Sequence, residues 1–343
     1  MNKWYIEKGD QGDIVLSTRI RFARNLDAYA FPSKLDLAGK KAVNETVRDA
    51  VTRDNSGTFG YIEMNSLTRS QAVSLAERHL ISPEFTTNRD GRALLLTQDE
   101  SVSIMLCEED HIRLQVMKSG LALNEAYDIA NSIDNMIDAK LHYAFDERMG
   151  YLTQCPTNLG TAMRASVMLH LPALTALGRI PGISATVSKL GLVIRGAYGE
   201  GSSSKGSIYQ LSNQITLGIT EQAAIANLNA ITMQIITQER AAQESLLKNP
   251  VQIDKIWRAM GILKSARLLS CDEFMELISL VRVGVAQNIF ETQMEKVNEL
   301  IVMMQPATVN ASEGRELDPS ERDSIRAAKV RETLLREKED DEL

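Results

Sequence analysis

The stretch "VLSTRIRFARN", Val15 to Asn25, decides how the rest of the chain is read. Val15 and Ile20 flank it with apolar side chains and point to an extended strand. In a strand, residues two apart share a face, so Arg19 and Arg21 project together. The chain carries 38 basic and 45 acidic residues, a formal net charge of −7. An acidic chain that places Arg19, Arg21 and Arg24 in so short a segment needs a reason. Side-by-side guanidinium groups repel unless an anion lies between them. A solvated edge strand is the plain reading. A phosphate clamp is the specific one, because guanidinium forks match phosphate oxygens.

The 343 residues suffice for one large catalytic domain and a smaller second one. Hydrophobic residues at 44% and charged residues at 24% fit a soluble globular chain and argue against a disordered one. No run of eighteen apolar residues occurs, so no transmembrane helix is expected. The opening "MNKWYIEKGDQGD" lacks the apolar core of a secretory signal, and the closing "DDEL" reads as a solvated acidic end. Cys107, Cys155 and Cys271 are odd in number and form no C-x-x-C pair, which points to reduced thiols in a cytoplasmic setting. His79, His111, His142 and His170 lack metal-ligand spacing, so no resident metal is expected. The acidic balance argues against nucleic acid as a direct partner.

The first 240 residues mix strand and helix signals. "TRSQAVSLAERHL" opens on Thr68 as a helix cap. "RALLLTQ", "SVSIMLC" and "HIRLQVM" read as an antiparallel meander split by acidic turns. "LNEAYDIANSIDNMIDAKL" places Ile129, Ile133, Ile137 and Leu141 four apart, an amphipathic helix. "AMRASVMLHL" alternates, with Met163, Ala165, Val167 and Leu169 on one face and Arg164, Ser166, Met168 and His170 on the other. "LGLVIRG" and "SIYQLSNQITLG" read as paired strands joined by a Gly/Ser-rich loop. From Thr220 the pattern is almost wholly helical and ends in "ERDSIRAAKVRETLLREKEDDEL". Strands clustered before helices predict an α+β fold with a helical C-terminal domain.

Three further segments bear chemistry. "CEEDHIRLQ" crowds Glu108, Glu109 and Asp110 into a turn before Arg113. This is either a solvated turn or a general base beside phosphate-binding arginines. In "CPTNLGTAMRASVM", Pro156 and Gly160 make a turn in which Asn158 can bond its own backbone, and Cys155 is either a small packed thiol or an activated one. "RGAYGEGSSSKGSIYQLSN" combines glycines that allow close backbone approach with the opposite charges of Arg195 and Glu200.

In this order, "STRIR", "EEDHIR", "CPTNLGT", "RASVM" and "RGAYGEGS" resemble the guanidino-kinase (phosphagen kinase) superfamily, over roughly Gly12 to Glu244. The closer similarity is to the bacterial protein arginine kinases of the McsB type, through "ERHLISPEF", "RASVMLHLPAL" and "YQLSNQITLG". The resemblance implies a catalytic domain over residues 1–245, a mainly antiparallel sheet flanked by helices, and a helical domain over 246–343. It implies ATP and Mg²⁺, with Arg19, Arg21, Arg113, Arg164 and Arg195 around the phosphates. Ser17, Thr18, Ile20, His79, Ala165, Ser166, Val167, Met168, Gly196, Ala197, Tyr198, Gly199 and Glu200 would complete the ATP site. Glu109 is the implied base, Glu200 the residue that aims the guanidinium, and Cys155 a reactive thiol. Arg322, Asp323 and Arg326 in "RDSIRA" resemble a regulatory phosphoarginine-binding motif.

The implied activity is ATP-dependent phosphorylation of arginine side chains in proteins. Implied partners are misfolded proteins, a stress-gene repressor, the Clp ATPase and protease, a zinc-containing activator and further copies of the chain. The chemistry agrees: a guanidinium stays protonated near neutral pH, so a carboxylate must take a proton as its nitrogen attacks phosphorus. Two departures stand out. Ala162 replaces a glycine of the family pattern, and Ala327 replaces the proline that ends the phosphoarginine motif. A small-guanidine phosphagen kinase and a non-catalytic phosphoarginine-binding adaptor are the alternatives. The lack of a long preceding helical domain and the retention of Glu109, Glu200 and the five arginines argue against them.

Overall fold

The computed structural model describes residues 3–7, 9–53, 57–197 and 204–335. Its strands are β1 (Val15–Arg24), β2 (Phe59–Glu63), β3 (Ala93–Thr97), β4 (Val102–Leu106), β5 (Ile112–Ser119), β6 (Phe145–Asp146), β7 (Gly150–Tyr151), β8 (Met163–His170), β9 (Leu192–Gly196) and β10 (Ile208–Asn213). Its helices are α1 (Leu37–Thr52), α2 (Arg69–Glu77), α3 (Leu123–Asp138), α4 (Pro172–Ala176), α5 (Ile180–Lys189) and α6 (Glu221–Leu246). They continue as α7 (Pro250–Ser265), α8 (Cys271–Ala286), α9 (Met294–Met303), α10 (Pro306–Glu313) and α11 (Pro319–Leu335).

Eight strands form one antiparallel sheet in the order β2-β3-β4-β5-β1-β8-β10-β9. The meander β3-β4-β5 and the β9-β10 pair form as their alternation predicts. Strand β1 is the sheet's spine, with β5 on one side and β8 on the other. Its even positions Ile20 and Phe22 join Leu114, Val116, Ala165, Val167 and Leu211 in the main core, covered by α1, α3 and α6. Each such fully buried side chain contributes about 1.5–3 kcal/mol.

The opposite face is covered only at its margins. Over β3 and β4, α2 packs Ala72 and Leu75 against Leu94 and Met105. At the start of β1 and the end of β8, the C-terminal helices pack Phe274, Met275 and Ile278 around Leu16, Met168 and Ile208. The centre between these two clusters holds the arginines.

Two expectations need revision. Helix α3 buries Leu123, Ala126, Ala130, Asp134 and Ile137, while Ile129 is 38% exposed. An i, i+4 stripe drifts around a 3.6-residue helix, and here Asp134 takes a core position because Arg24 reaches it. Asn158 also does not bond its own backbone; its Oδ1 accepts from Arg164 Nη2 at 3.3 Å.

Helix α7 begins at the Asn249 cap, three residues after α6 ends. Buried Arg282 of α8 fastens the C-terminal helices to the sheet. It donates to the Gly12 and Asp13 carbonyls at 2.6 and 2.7 Å and to His170 Nδ1 at 3.1 Å. The other His170 nitrogen, Nε2, pairs with Ser279 Oγ at 2.7 Å. A donor on Nδ1 leaves the proton of the neutral ring on Nε2.

Candidate active site

The site follows from strand register. Arg19 pairs across β1–β8 with Ser166, and Arg21 pairs with Arg164. Across β1–β5, Ala23 pairs with Arg113. Met168 pairs with Gln210, which pairs with Arg195. Cross-strand partners share a face. Arg113, Arg21, Arg19, Arg164 and Arg195 therefore emerge on one side of the sheet, from β5, β1, β8 and β9, with Gln210 of β10 between the last two.

The third arginine of the opening stretch does something else. Arg24 lies on the opposite face, 1% exposed, with Nη2 2.8 Å from Asp134 Oδ2 and its guanidinium 3.5 Å from the Tyr151 ring centroid. It is a core ion pair.

The arginine face is electrostatically unfinished. Arg19 has neutral partners, Ser166 Oγ at 3.3 Å and Gln210 Oε1 at 2.6 Å. Burial and the neighbouring Arg113 push its guanidinium down to about 10. Arg21 is lowered further, by burial and then by Arg19, Arg113 and Arg164, and its buried Nε has no hydrogen-bond partner. Arg164 is lowered by burial and by Arg113 and Arg195. Such a cluster suits an anion, since a polyanion would remove repulsion and orphaned donors together.

Glu108 and Glu109 divide the labour. Glu108 is buried; its Oε2 accepts from Arg113 Nη1 at 2.7 Å and from the Glu109 amide at 3.0 Å, and its Oε1 accepts from Ser82 at 2.7 Å. Burial pushes its carboxyl up, but Arg113 and these bonds hold it below the usual range. Glu109 is more open. Burial, then Asp110 and Glu108, raises its carboxyl, while Arg113 and a hydrogen bond with Cys155 oppose the rise. A carboxylate with raised proton affinity beside an anion site is what a general base requires. Asp110 ties the turn to its neighbours, accepting from Asn25 Nδ2 at 2.6 Å and from the Gln154 amide at 2.8 Å.

The Cys155–Gly160 turn closes the site. Cys155 Sγ lies 3.0 Å from Thr157 Oγ1. Gly160 has φ +95°, and a Cβ there would collide with the Thr216 carbonyl. Ala162 occupies the left-handed region at φ +47°, a conformation that costs an alanine about 1 kcal/mol and that glycine would adopt freely. Arg21, Arg113, Arg164, Glu109, Asp110 and Asn158 line a small cleft at this end of the sheet.

Other expected positions are distributed by the same alternation. Ser17, Ser166 and Met168 lie on the arginine face, and Met168 touches the C-terminal helices. Ile20, Ala165 and Val167 turn into the core. Thr18 donates to the Gly120 carbonyl at 2.7 Å and accepts from the Ala122 amide, bracing the entry to α3. Gly196 ends β9 and Ala197 packs toward the C-terminal cluster. His79 follows α2; burial and the charge of Arg19 push its imidazole down to about 3. Tyr198, Gly199 and Glu200 lie outside the described residues. Arg326 is buried and donates to the Met304 and Leu269 carbonyls and to Asp323, while Arg322 donates to the Leu317 carbonyl. Gln210, which orients Arg19, was missed; the alternation of "SIYQLSN" already put it on the arginine face.

Among the described residues, no three His, Cys, Asp or Glu side chains converge as a ligand set for a cation. None of the described helices is long and apolar enough to cross a membrane.

Residues 41–242 match the family model of the ATP:guanido phosphotransferase C-terminal catalytic domain, and residues 250–343 match that of the protein-arginine kinase McsB C-terminal domain. A protein-arginine kinase of Caldanaerobacter subterraneus subsp. tengcongensis is 45% identical over 95% of this chain and 98% of its own. One from Halothermothrix orenii is 42% identical over 97% of both chains. Among solved structures, the duplicated taurocyamine kinase of Schistosoma mansoni with bound transition state analog components aligns with TM-score 0.61 and 27% identity, covering 68% of this chain and 34% of that one. Lombricine kinase aligns with TM-score 0.61 and 25% identity over 68% of each chain. An arginine-lined sheet face with a raised carboxylate at its edge, matched along nearly the whole chain, places this protein in the guanidino-kinase superfamily, as a member of its protein-arginine kinase family.

Proposed function

We propose that the five-arginine face binds the phosphates of ATP and that Glu109 removes the proton from the substrate arginine. The observation that carries this is the cluster of Arg19, Arg21, Arg113, Arg164 and Arg195, with Glu108 already committed to Arg113 and Glu109 left at its edge. As a guanidino nitrogen attacks the γ-phosphorus, an N–P bond forms, the P–O bond to ADP breaks, and Glu109 accepts the nitrogen's proton. The arginines hold the phosphates in line and offset charge that moves toward the leaving oxygen. Glu200 holds the other guanidinium nitrogens. Mg²⁺ bound with the nucleotide would offset phosphate charge beside these arginines.

The substrates are proteins with exposed arginine, among them misfolded proteins and a stress-gene repressor that phosphorylation inactivates. The product marks clients for a Clp ATPase and protease, in a cytoplasmic stress response that a zinc-containing activator supports. Arg322 and Asp323 line a regulatory phosphoarginine site that buried Arg326 braces from behind through Asp323, and the C-terminal helices mediate self-association. Family membership and three free thiols support this setting.

The test is labelled phosphate transfer from ATP to an arginine-containing protein by wild type and Glu109→Gln. The variant should bind ATP normally and lose about 10²–10⁴ in rate. Turnover equal to wild type would remove Glu109 from the role. For the regulatory site, calorimetry with free phosphoarginine should show binding that Arg322→Ala abolishes; equal binding by both proteins would place the site elsewhere.

A further inference from the structure

Helix α2 has two unlike faces. Ala72 and Leu75 enter the apolar cluster over β3 and β4. Ser70, Ser74 and Glu77, at i, i+4 and i+7, form a polar seam against the C-terminal region. Asn310 Nδ2 donates to Ser70 Oγ at 3.4 Å and to Glu316 Oε2 at 2.8 Å, and Ser70 itself bonds Glu316. Ser74 Oγ donates to Thr308 Oγ1 at 3.2 Å. Glu77 caps the start of α10 with both oxygens: Oε1 accepts from the Ala307 amide at 3.0 Å, and Oε2 accepts from the Thr308 amide and hydroxyl at 2.7 and 2.9 Å. A carboxylate at a helix N-terminus gains from both the free amides and the helix dipole.

Helix α2 ends at Glu77 with Arg78 as its C-cap, and His79 follows with φ +62°. Its amide bonds the Ala76 carbonyl at 2.9 Å, and the Leu80 amide bonds the Leu75 carbonyl at 2.9 Å. Glycine usually takes this left-handed position after a helix, and a side chain there costs about 1 kcal/mol. The rigid cap leaves the direction of His79 no freedom independent of α2. Gln115, the cross-strand partner of Arg21 on the arginine face, donates Nε2 to the His79 carbonyl at 2.7 Å and so holds His79 over that face. Arg78, between the two, pairs with Glu100, which also holds Lys3. Three consecutive residues thus engage the C-terminal region, the N-terminal segment and the nucleotide face.

We propose that Glu77 is a positioning residue for the nucleotide site, holding α2 against α10 so that the left-handed cap aims His79 at bound ATP. The proposal rests on the reading that the arginine face is the ATP site. The seam is hydrogen-bonded on this face of α2, so docking there is set by a few polar contacts. From the far side, Arg326 Nε donates to the Met304 carbonyl, two residues before α10, and steadies the same helix start.

The test is steady-state kinetics on the full chain, with ATP varied at saturating casein as the arginine-containing substrate. Glu77→Ala should raise KM for ATP about 5–10-fold with kcat within about 2-fold, the split expected for lost nucleotide binding. Partial unfolding would lower kcat through the active fraction and leave KM alone, so a kcat-only loss overturns the proposal. Glu77→Gln, which keeps one acceptor, should recover part of the change. Thr308→Val, which removes one donor of three, should move KM in the same direction by about 2-fold and serves if Glu77→Ala does not fold. His79→Ala should raise KM, and adding Glu77→Ala to it should change little further, because groups acting through one contact are not additive. Additive effects, or a silent Glu77→Ala beside an impaired His79→Ala, overturn the positioning role alone. A silent His79→Ala overturns the placement of His79 at the nucleotide, and the proposal with it.

Discussion

Replacing Arg21 by methionine should stabilise the nucleotide-free protein while removing its response to ATP. Arg21 faces Arg164 across β1–β8, has Arg19 two positions along and feels Arg113 from the neighbouring strand. Its buried Nε has no partner, a cost of about 1–3 kcal/mol. Each charged neighbour adds repulsion that burial strengthens. Glu108, the carboxylate that offsets part of this, is already bonded to Arg113. Methionine removes the orphaned donor and the repulsion and keeps most of the apolar volume, so a gain of about 2 kcal/mol is expected, within the range for such replacements. Unfolding entropy of roughly 2.1 cal/mol/K per residue over 343 residues converts this to a rise in Tm of about 3 °C.

Arg24→Met is the matched control, three residues along the same strand on the other face. It strands Asp134 in the core without its 2.8 Å partner and should lose about 3–5 kcal/mol, a fall of roughly 4–7 °C. Scanning calorimetry with and without ATP reads all of this at once. At about 100 Kd, ATP should add about 2.7 kcal/mol to wild type and almost nothing to Arg21→Met. A nucleotide-free Arg21→Met that melts below wild type would refute the idea that this face stores unrelieved charge.

Arg164→Ala should slow phosphoryl transfer by about 10³–10⁵, while Ser166→Ala, which removes only a 3.3 Å bond from Arg19, should cost far less; equal small effects would break the face assignment. Under limiting alkylating reagent, Cys155 should label first and be protected by ATP, because burial pushes the Cys107 thiol up to about 12 and raises Cys271 as well. Peptide mapping that finds Cys271 labelled first would count against this. Stability should fall as pH drops below 6.5, because His79, His111 and His170 all have lowered folded-state values and the unfolded chain then binds more protons. Each contributes up to about 1.4 kcal/mol per pH unit between its folded value and 6.5, and His170→Gln should flatten the denaturation profile measured from pH 7 to 5.

Much of the active face was legible because a strand's side-chain period is fixed at two. "STRIR" and "RASVM" place Arg19, Arg21, Arg164 and Ser166 on exposed phases of their strands whatever surrounds them, and Ile20, Ala165 and Val167 on the buried phase. The meander, the Thr68 cap with its Gln71 box and the helical run after Thr220 are equally local, set by a few neighbouring residues. The family motifs named the chemistry. What they left open was every choice made by chain segments far apart in sequence.

The order β5-β1-β8-β10-β9, which turns separate arginine pairs into one face, depends on pairings that no local pattern states. Arg24 had no assigned role until Asp134, 110 positions away, proved to be its partner on the other face. Glu108 and Glu109 are chemically identical in "CEED"; only the approach of Arg113 and Ser82 to one of them leaves the other with raised proton affinity. Nothing in "SLAERHL" marks Glu77 as a cap; α10, some 230 residues on, makes it one. Periodicity and capping act within a few residues and are written in the sequence. Charge neutralisation and burial depend on which distant groups arrive, and the tertiary structure alone decides that.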